Sequence, residues 1–399
     1  MLVGLDRLPS LASLVSRLRS APFGLLAHAP SVDRNLLHIS DVLERLDLRA
    51  ARIFGPEHGY GGEAQDMVGV AGAVDPRSGA PIVSLYGDRF DDLSPRASDL
   101  AGLETLLIDL CDVGSRYYTF VWTAWLAVRA AAAAGIHCVL LDRPNPIGGT
   151  SAPCEGRPQL QRYLSFVGLE PIPVRHGLTA GELVAHVARL HGLGLGPDEA
   201  LEVVGVEGWD RGILASHWDR AFVMPSPNMP TLDTALVYPG GCLLEGTNLS
   251  EGRGTTRPFE IFGAPWLDGR ALARALHGAG LEGFVARPIT FAPTFHKHAG
   301  QTCGGVQVHV THPDRFRPVA VYTAAIALAC RQAPDQFRFR TERYEFVDDI
   351  PAIDLLFGNG EVRRAMLEQR PLLEILLLAC GVPASWTEDH AAAVSLPRT

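Results

Sequence analysis

The amino-acid sequence predicts an α/β protein of two domains, the first built on a parallel sheet that helices cover on both faces. Short apolar runs alternate with helical patterns over the first 210 residues, and this order is typical of a parallel sheet. At 399 residues the chain is too long for one ordinary hydrophobic core. Prolines cluster near residue 232, where the alternation stops, so we expect a first domain at 1–232 and a smaller one at 233–399.

Six apolar runs of strand length define the predicted sheet. They lie at residues 23–29, 50–54, 81–86, 105–110, 136–142 and 200–206. Between them, helical patterns cover residues 38–48, 119–135 and 179–192. Thr179 and Glu182 stand at capping-box spacing, which indicates the start of the last of these helices.

The character of the sequence changes beyond the predicted boundary. Residues 238–266 have the pattern of a loop-rich segment, because glycine and proline are dense there. The predicted elements that follow are a helix at 268–279, strands at 284–291 and 304–311, a helix at 318–332, and helical segments at 350–367 and up to Cys380.

Composition and charge argue against several kinds of partner. The chain has 44 acidic and 35 basic residues and a net charge of −9, which argues against nucleic acid or an anionic membrane as a partner. No stretch reaches the roughly 18 uncharged apolar residues that a membrane span needs. Seven cysteines are scattered without a C-x-x-C pair, a pattern typical of reduced thiols. Because the amino terminus also lacks the pattern of a signal peptide, we expect a cytoplasmic protein.

The sequence contains no motif for a cofactor or a metal ion. The Walker A, H-E-x-x-H and G-x-S-x-G motifs are absent, and no pair of residues has zinc-ligand spacing. The run "HGLGLG" at 191–196 is similar to a dinucleotide-binding loop, but it ends a predicted helix instead of following the first strand. We therefore expect neither a cofactor nor a metal site.

Polar residues follow four of the predicted strands, at the point where each strand ends. They are Glu57 and His58 in "FGPEHGYGG", Tyr86 in "SLYG", Asp109 and Asp112 in "DLCDVG", and the segment "DRPNPIGG" at 142–149. The carboxyl ends of parallel strands meet at one edge of a sheet, where ligands bind, so we expect a pocket there. Proline and glycine on both sides of Glu57 and His58 predict that this pair lies on a sharply turned loop.

Each of these residues also has a purely structural interpretation. Glu57 could cap a helix or lie in water, and His58 could be an ordinary hydrogen-bonding side chain. One of the two aspartates could be an N-cap or an ion-pair partner of Arg116. The segment "LEGTNLSEGRGTTRPFE" is dense in hydrogen-bonding groups, which suits recognition of a polyhydroxylated substrate, although it could also be a rigid lid between domains.

A series of motifs resembles those of one protein family. In order across residues 54–311, they are "GPEHGYGG", "SLYG", "DLCDVGSRYYTF", "LDRPNPIGG", "SFVG", "PIPVRHGLTAGEL", "PSPNMPT", "YPGGCLLEGTNLSEGRGTTRPFEIFGAPW" and "KHAGQTCGGVQVHVT". They closely resemble the peptidoglycan exo-β-N-acetylmuramidases. The string from Glu245 to Trp266 is highly specific. With "GLDRL" at the start and "AIDLLFG" in the tail, the similarity spans nearly the whole chain.

The resemblance implies a Rossmann-like parallel sheet domain, a smaller α/β domain and an active cleft between them. It also implies an exo-acting glycoside hydrolase that releases N-acetylmuramic acid from the non-reducing end of peptidoglycan-derived glycans, in cell-wall turnover or recycling. The glutamate of the G-P-E-H-G motif, here Glu57, is the implied leading catalytic carboxyl, and His58 lies beside it. Glycoside cleavage commonly uses a second carboxylate, and Asp109, Asp112 and Glu251 compete for that role.

The lactyl carboxylate of such a substrate needs a cation, and guanidinium groups bind carboxylates through two parallel hydrogen bonds. The candidates are Arg116, Arg143, Arg175 and Arg253, each of which could instead form an internal ion pair. The other residues expected to bind the sugar are Tyr86, Tyr118, Asn145, His176, Asn228 and Asn248.

Two positions depart from the family pattern. Tyr60 and Gly61 follow G-P-E-H-G where the family usually has phenylalanine and arginine, and Cys111 stands where it usually has glutamine. If that arginine holds an anion, the specificity of this chain differs. Two alternatives therefore stay open: a hydrolase of a related amino sugar, and a non-catalytic sugar-binding protein. The sequence predicts neither the oligomeric state nor the stereochemical course.

Overall fold

The structure is a computed structural model that describes residues 1–61 and 73–399. Within these ranges a seven-stranded sheet forms from the first part of the chain and a three-stranded sheet from the second. The strands of the first sheet are β1 (Phe23–Ala27), β2 (Arg52–Gly55), β3 (Ala73–Val74), β4 (Pro81–Ser84), β5 (Thr105–Asp109), β6 (His137–Leu141) and β7 (Leu201–Val204).

The first sheet has the strand order β3-β4-β2-β1-β5-β6-β7. All neighbouring pairs are parallel except β3 with β4, which are antiparallel. The prediction of a parallel α/β sheet is confirmed, and each of the six predicted runs overlaps one of the parallel strands. The sequence did not indicate β3, because a strand of two residues is too short to give an apolar pattern. From β1 the chain adds strands on one side of the sheet, and from β5 it adds them on the other. The carboxyl ends of β1 and β5, where the strand order reverses, are therefore the expected position of a ligand.

In the described ranges six helices accompany this sheet, and the third, fifth and sixth of them lie at the predicted positions. They are α1 (Gly4–Arg7), α2 (Ala12–Ser20), α3 (Ile39–Arg45), α4 (Ala97–Leu100), α5 (Phe120–Ala133) and α6 (Ala180–Leu190). The predicted capping box is present, since the side chain of Thr179 accepts a hydrogen bond from the backbone N–H of Glu182 and the side chain of Glu182 accepts one from the N–H of Thr179. Every residue of β1, β5 and β7 is buried, as expected for strands that are covered on both faces.

The second sheet is antiparallel, with strands β8 (Ile261–Ala264), β9 (Phe284–Phe291) and β10 (Cys303–Val310) in the order β8-β10-β9. The second part of the chain also contains α7 (Leu232–Gly241), α8 (Gly269–His277), α9 (Pro318–Gln332), α10 (Ala352–Phe357), α11 (Glu361–Leu367), α12 (Leu372–Cys380) and α13 (Ser385–Val394). The predicted smaller α/β domain is therefore confirmed.

The segment predicted as loop-rich contains more regular structure than expected. Helix α7 extends to Gly241 despite Pro239, and β8 lies near the end of the 238–266 segment. Packing against α9 explains the helix, because a Cβ atom on Gly240 would lie 2.0 Å from the carbonyl oxygen of Pro318. Two backbones that approach so closely need glycine at the contact.

The end of the chain returns to the first sheet. The N–H of Thr399 donates to the carbonyl of Val203 in β7 at 2.9 Å, and Arg398 forms an ion pair with Glu182. These contacts cover an edge strand that would otherwise be open. The boundary near residue 232 stays a prediction. None of the helices in the described ranges is both long enough and apolar enough to span a bilayer.

Candidate active site

The loop after β2 places Glu57 and His58 in a tight turn, as predicted. The N–H of Gly59 donates to the carbonyl of Pro56 at 3.0 Å, and His58 has a φ of +70°. A non-glycine residue in the left-handed region is uncommon and is typical of functional sites. Gly62, the last residue of the motif quoted above, lies outside the described residues.

Glu57 lines a cavity of about 520 Å³ to which both parts of the chain contribute. From the first part, the lining includes Glu57, His58, Tyr118, Thr119, Ser226 and Asn228. From beyond residue 232, it includes Tyr238, Glu245, Arg253, Phe259, Tyr344 and Glu345. The structure therefore brings together five of the residues selected from the sequence: Glu57, His58, Tyr118, Asn228 and Arg253.

The carboxylate of Glu57 is held at the start of helix α5. Its Oε2 atom accepts a hydrogen bond of 2.8 Å from the hydroxyl of Thr119, the residue that precedes Phe120 at the helix amino terminus. The His58 ring lies edge-on to Phe120, with ring centroids 6.2 Å apart, so both members of the Glu-His pair are fixed against the same helix.

Arg253 reaches the cavity from a buried cluster of charges. Its Nη2 atom donates to Glu245 at 2.7 Å, and its Nε atom lies 3.3 Å from Glu251. Glu251 also contacts the Nζ atom of Lys297 and the Nδ1 atom of His296, each at 2.9 Å. Two carboxylates thus hold the guanidinium of Arg253 in one orientation.

The charge state of Glu251 follows from the same contacts. Burial by itself raises the pKa of a carboxyl group, but Lys297, His296 and Arg253 outweigh it and hold the pKa of Glu251 far below its usual range. A carboxylate that stays ionised near neutral pH cannot donate a proton there. Glu251 does not line the cavity that contains Glu57, so its contacts suit the positioning of Arg253.

Asp109 and Arg143 form a buried ion pair with each other. The Nη2 atom of Arg143 donates to Oδ2 of Asp109 at 2.7 Å, and the Nε atom donates to Oδ1 at 2.5 Å. Arg143 and Asp112 line a neighbouring cavity of about 490 Å³. Pro225 lines that neighbouring cavity and Ser226 lines the one with Glu57, so the segment "PSPNMPT" separates the two.

The D-V-G motif packs against two other predicted site residues. Asp112 Oδ2 accepts from the N–H of Gly114 at 2.8 Å and lies 3.5 Å from Nε2 of His176. Gly114 has a φ of +78°, and a Cβ atom there would lie 2.3 Å from Oδ1 of Asn145. Asn145 in turn donates to the carbonyl of Leu178 at 2.9 Å. None of these residues lines the Glu57 cavity.

Four further predicted residues contact the protein itself outside the lining of the Glu57 cavity. Arg116 is fully buried and donates to three backbone carbonyls, and burial lowers its pKa to about 10. Arg175 donates to the carbonyl of Ile147. Asn248 binds the backbone at Gln336 and Arg338, and Tyr86 packs against Phe166 and Phe346.

The two departures from the family pattern lie outside the Glu57 cavity. The hydroxyl of Tyr60 is 2.5 Å from that of Ser40. Cys111 lines the neighbouring cavity, and burial raises the pKa of its thiol to about 11, so the thiol stays protonated at neutral pH. Within residues 1–61 and 73–399, no group of three or more His, Cys, Asp or Glu side chains is placed to hold a metal ion.

Several cavity residues were not selected from the sequence as site residues. Thr119 lies inside the quoted motif "DLCDVGSRYYTF", and its neighbour Tyr118 had been selected. Glu245 was noted only as part of its polar segment. Tyr344 and Glu345 lie in "ERYEF", a stretch without any motif, so no local signal could have identified them.

A cavity that combines carboxylates, an arginine and aromatic rings is the kind of site in which glycoside hydrolases act. Comparison with known proteins gives the family. Two models match the chain, "Exo-beta-N-acetylmuramidase NamZ, N-terminal" over residues 23–233 and "Exo-beta-N-acetylmuramidase NamZ, C-terminal" over residues 236–381. The chain belongs to this exo-β-N-acetylmuramidase family, and it is a glycoside hydrolase.

Individual relatives agree with this classification. The chain is 39% identical over 361 residues to the peptidoglycan β-N-acetylmuramidase NamZ of Bacillus subtilis, which covers 90% of this chain and 83% of the relative. The crystal structure of a DUF1343 family protein from Bacteroides fragilis is 26% identical, with a TM-score of 0.84 over 98% of this chain and 97% of that one. A second protein of that family and organism is 24% identical with a TM-score of 0.70, covering 98% and 96% of the two chains, and it shows the fold alone.

Proposed function

We propose that this protein releases N-acetylmuramic acid from the non-reducing end of peptidoglycan-derived glycans, with Glu57 as the general acid. The observation that carries the proposal is the presence of Glu57 and Arg253 in one cavity. A carboxyl group can protonate the departing glycosidic oxygen, and a guanidinium can bind the lactyl carboxylate that distinguishes muramic acid from glucosamine. The B. subtilis relative bears the name of a muramidase, which is consistent with this pairing.

The other cavity residues are assigned to sugar binding. His58, Tyr118 and Asn228 are nearly buried and offer hydrogen-bonding groups, and the rings of Tyr238 and Phe259 offer apolar faces. Excluding water from such a site strengthens each polar contact with the sugar. Asp109, Asp112, Arg116, Arg143, Arg175 and Asn248 are assigned to structural roles, since their polar groups contact other groups of the protein.

We also propose that the protein works in the cytoplasm on soluble glycan fragments. All seven cysteines are free in the structure, as expected for a reducing compartment. An amino-terminal export signal found on the native precursor, or a secreted enzyme in a cell fractionation experiment, would contradict this proposal.

A comparison of two chromogenic substrates tests the proposed function. We expect the purified protein to hydrolyse an aryl β-N-acetylmuramide and to act far less on the matching β-N-acetylglucosaminide. The two glycosides differ only in the lactyl ether, so the ratio of kcat/KM values measures its recognition. Equal rates would favour a hydrolase of related amino sugars, and binding without hydrolysis of either substrate would favour a sugar-binding protein.

Arg253→Lys should reduce selectivity for the lactyl group. Lysine keeps the positive charge between Glu245 and Glu251 but loses the planar fork that binds a carboxylate. We expect kcat/KM for the muramide to fall roughly 10- to 150-fold, the equivalent of about 1.5–3 kcal/mol for a charged hydrogen bond, with little change for the glucosaminide.

Arg257→Lys is the matched control, since Arg257 lies on the same segment and is 41% exposed. It should leave both rates unchanged. Inhibition constants of free N-acetylmuramic acid and N-acetylglucosamine give the same comparison without turnover. Equal losses on both sugars in Arg253→Lys would show that Arg253 serves only the structure.

A further inference from the structure

We infer that Glu345 is the second catalytic carboxylate of this hydrolase, an inference that rests on the proposed muramidase activity. Glu345 and Glu57 line the same cavity. Glu57 comes from the loop after β2, and Glu345 comes from the segment between α9 and α10. Two distant parts of the chain thus contribute carboxyl groups to one cavity, and glycoside hydrolysis commonly uses a pair of carboxyl groups.

A tight turn presents Glu345 to the cavity. The backbones of Tyr344 and Val347 exchange two hydrogen bonds of 3.0 Å, and the two residues between them, Glu345 and Phe346, have φ values of +44° and +70°. Non-glycine residues in the left-handed region are strained and persist only where the surrounding structure holds them. Such strain is concentrated at functional sites.

Packing from both parts of the chain holds this turn. The ring of Phe346 lies against Tyr86, Phe90 and Phe166, with centroid distances of 5.9, 6.2 and 6.0 Å. The hydroxyl of Tyr344 donates to Oε2 of Glu245 at 2.7 Å. Because the first contacts come from the parallel-sheet part and the last from the second part, the position of Glu345 is fixed relative to Glu57.

The other candidate carboxylates have contacts that indicate structural or positioning roles. Asp109, Asp112 and Glu251 do not line the Glu57 cavity. Glu245 does line it, and its two oxygens accept hydrogen bonds from Arg253 and Tyr344, so it orients the Arg253 guanidinium and the turn. Among the described residues, Glu345 is the remaining carboxylate in the lining.

The inferred reaction uses one proton from Glu57 and one water molecule. Glu57 gives its proton to the glycosidic oxygen as the bond from that oxygen to the anomeric carbon breaks, and the electron pair leaves with the oxygen. The oxygen of water bonds to the anomeric carbon, and a proton of that water passes to Glu345. Proton exchange with solvent then restores both carboxyl groups.

Glu345→Gln tests this role with the aryl β-N-acetylmuramide as substrate. We expect kcat/KM to fall at least a hundredfold, the usual scale for loss of a general base, with the melting temperature little changed. The wild-type pH profile should fall on the acid side as the base becomes protonated, and this acid limb should disappear from the residual activity of the variant. A merely structural residue would not remove that limb. Glu342→Gln, the same change at a side chain that is 76% exposed, should keep the wild-type rate and profile.

Glu345→Asp provides a second test. Aspartate adopts the left-handed region more readily than glutamate, and it keeps the carboxylate on a side chain that is one methylene shorter. It should retain the acid limb at a reduced rate. Wild-type turnover in either Glu345 variant, or an unchanged acid limb in Glu345→Gln, would overturn the inference. The activity of the wild-type protein separates this inference from the proposed function. If the wild type hydrolyses the muramide and the Glu345→Gln variant is equally active, this inference alone is wrong. If the wild type does not hydrolyse the muramide, the proposed function is wrong.

Discussion

Glu57→Gln is expected to lower turnover of the muramide at least a hundredfold, with little change in melting temperature. Glutamine keeps the shape of the side chain and can still accept the hydrogen bond from Thr119, so the turn that carries it should fold normally. It cannot supply the proton that the departing oxygen requires, and general acid catalysis contributes about 10²–10⁴-fold. Steady-state kinetics and thermal melting measure the two effects.

The leaving group provides an internal control for this result. A dinitrophenyl aglycone departs without protonation, so Glu57→Gln should lose much less activity on that substrate than on a disaccharide. A folded Glu57→Gln enzyme with near-wild-type turnover of the disaccharide would refute the assignment of Glu57 as the acid. A loss of the same size on both substrates would point to a role in binding instead.

Glu251→Gln should have the largest effect on stability. The side chain is fully buried and faces Lys297, Arg253 and His296, and removing one partner of a buried ion pair typically costs about 3–5 kcal/mol. Activity should fall as well, because Arg253 loses one of the two carboxylates that orient it. Chemical denaturation measures the loss of unfolding free energy. Glu361→Gln is the matched control, since its pair with Arg157 is half exposed, and exposed pairs contribute about 1 kcal/mol or less.

The Glu251 effect should depend on pH in a defined direction. The pKa of Glu251 is lowered in the folded protein from an ordinary value of 4.5. A lowered pKa stabilises the fold at pH values above the unfolded value, and this contribution is lost as the pH falls below about 4.5. The difference in unfolding free energy between wild type and Glu251→Gln should therefore be constant near neutral pH and shrink in acid. A difference that grew on acidification would contradict the proposed charge state.

The local features of this fold were readable from the sequence because they depend on neighbouring residues. Apolar runs located the six parallel strands, and Thr179 with Glu182 located the start of α6, since burial pattern and capping act over a few positions. The Pro and Gly residues around Glu57 located its turn in the same way. The apolar pattern did not predict β3, because a strand of two residues carries too little signal. It also did not predict α7, where contact with α9 stabilises a helix that contains Pro239.

The composition of the site was decided by the tertiary structure. Arg143 and Arg253 are equally plausible anion ligands in sequence, yet one is paired with Asp109 away from the Glu57 cavity and the other lines it. Glu345 carries no local signal, and only the packing of its turn against the first sheet domain brings it to Glu57. The sequence by itself determined the fold class, the family resemblance and the Glu57 loop, because these follow from short-range patterns. Which charged groups face the substrate and which pair with one another depends on tertiary contacts, because ligand sites and internal ion pairs use the same residue types.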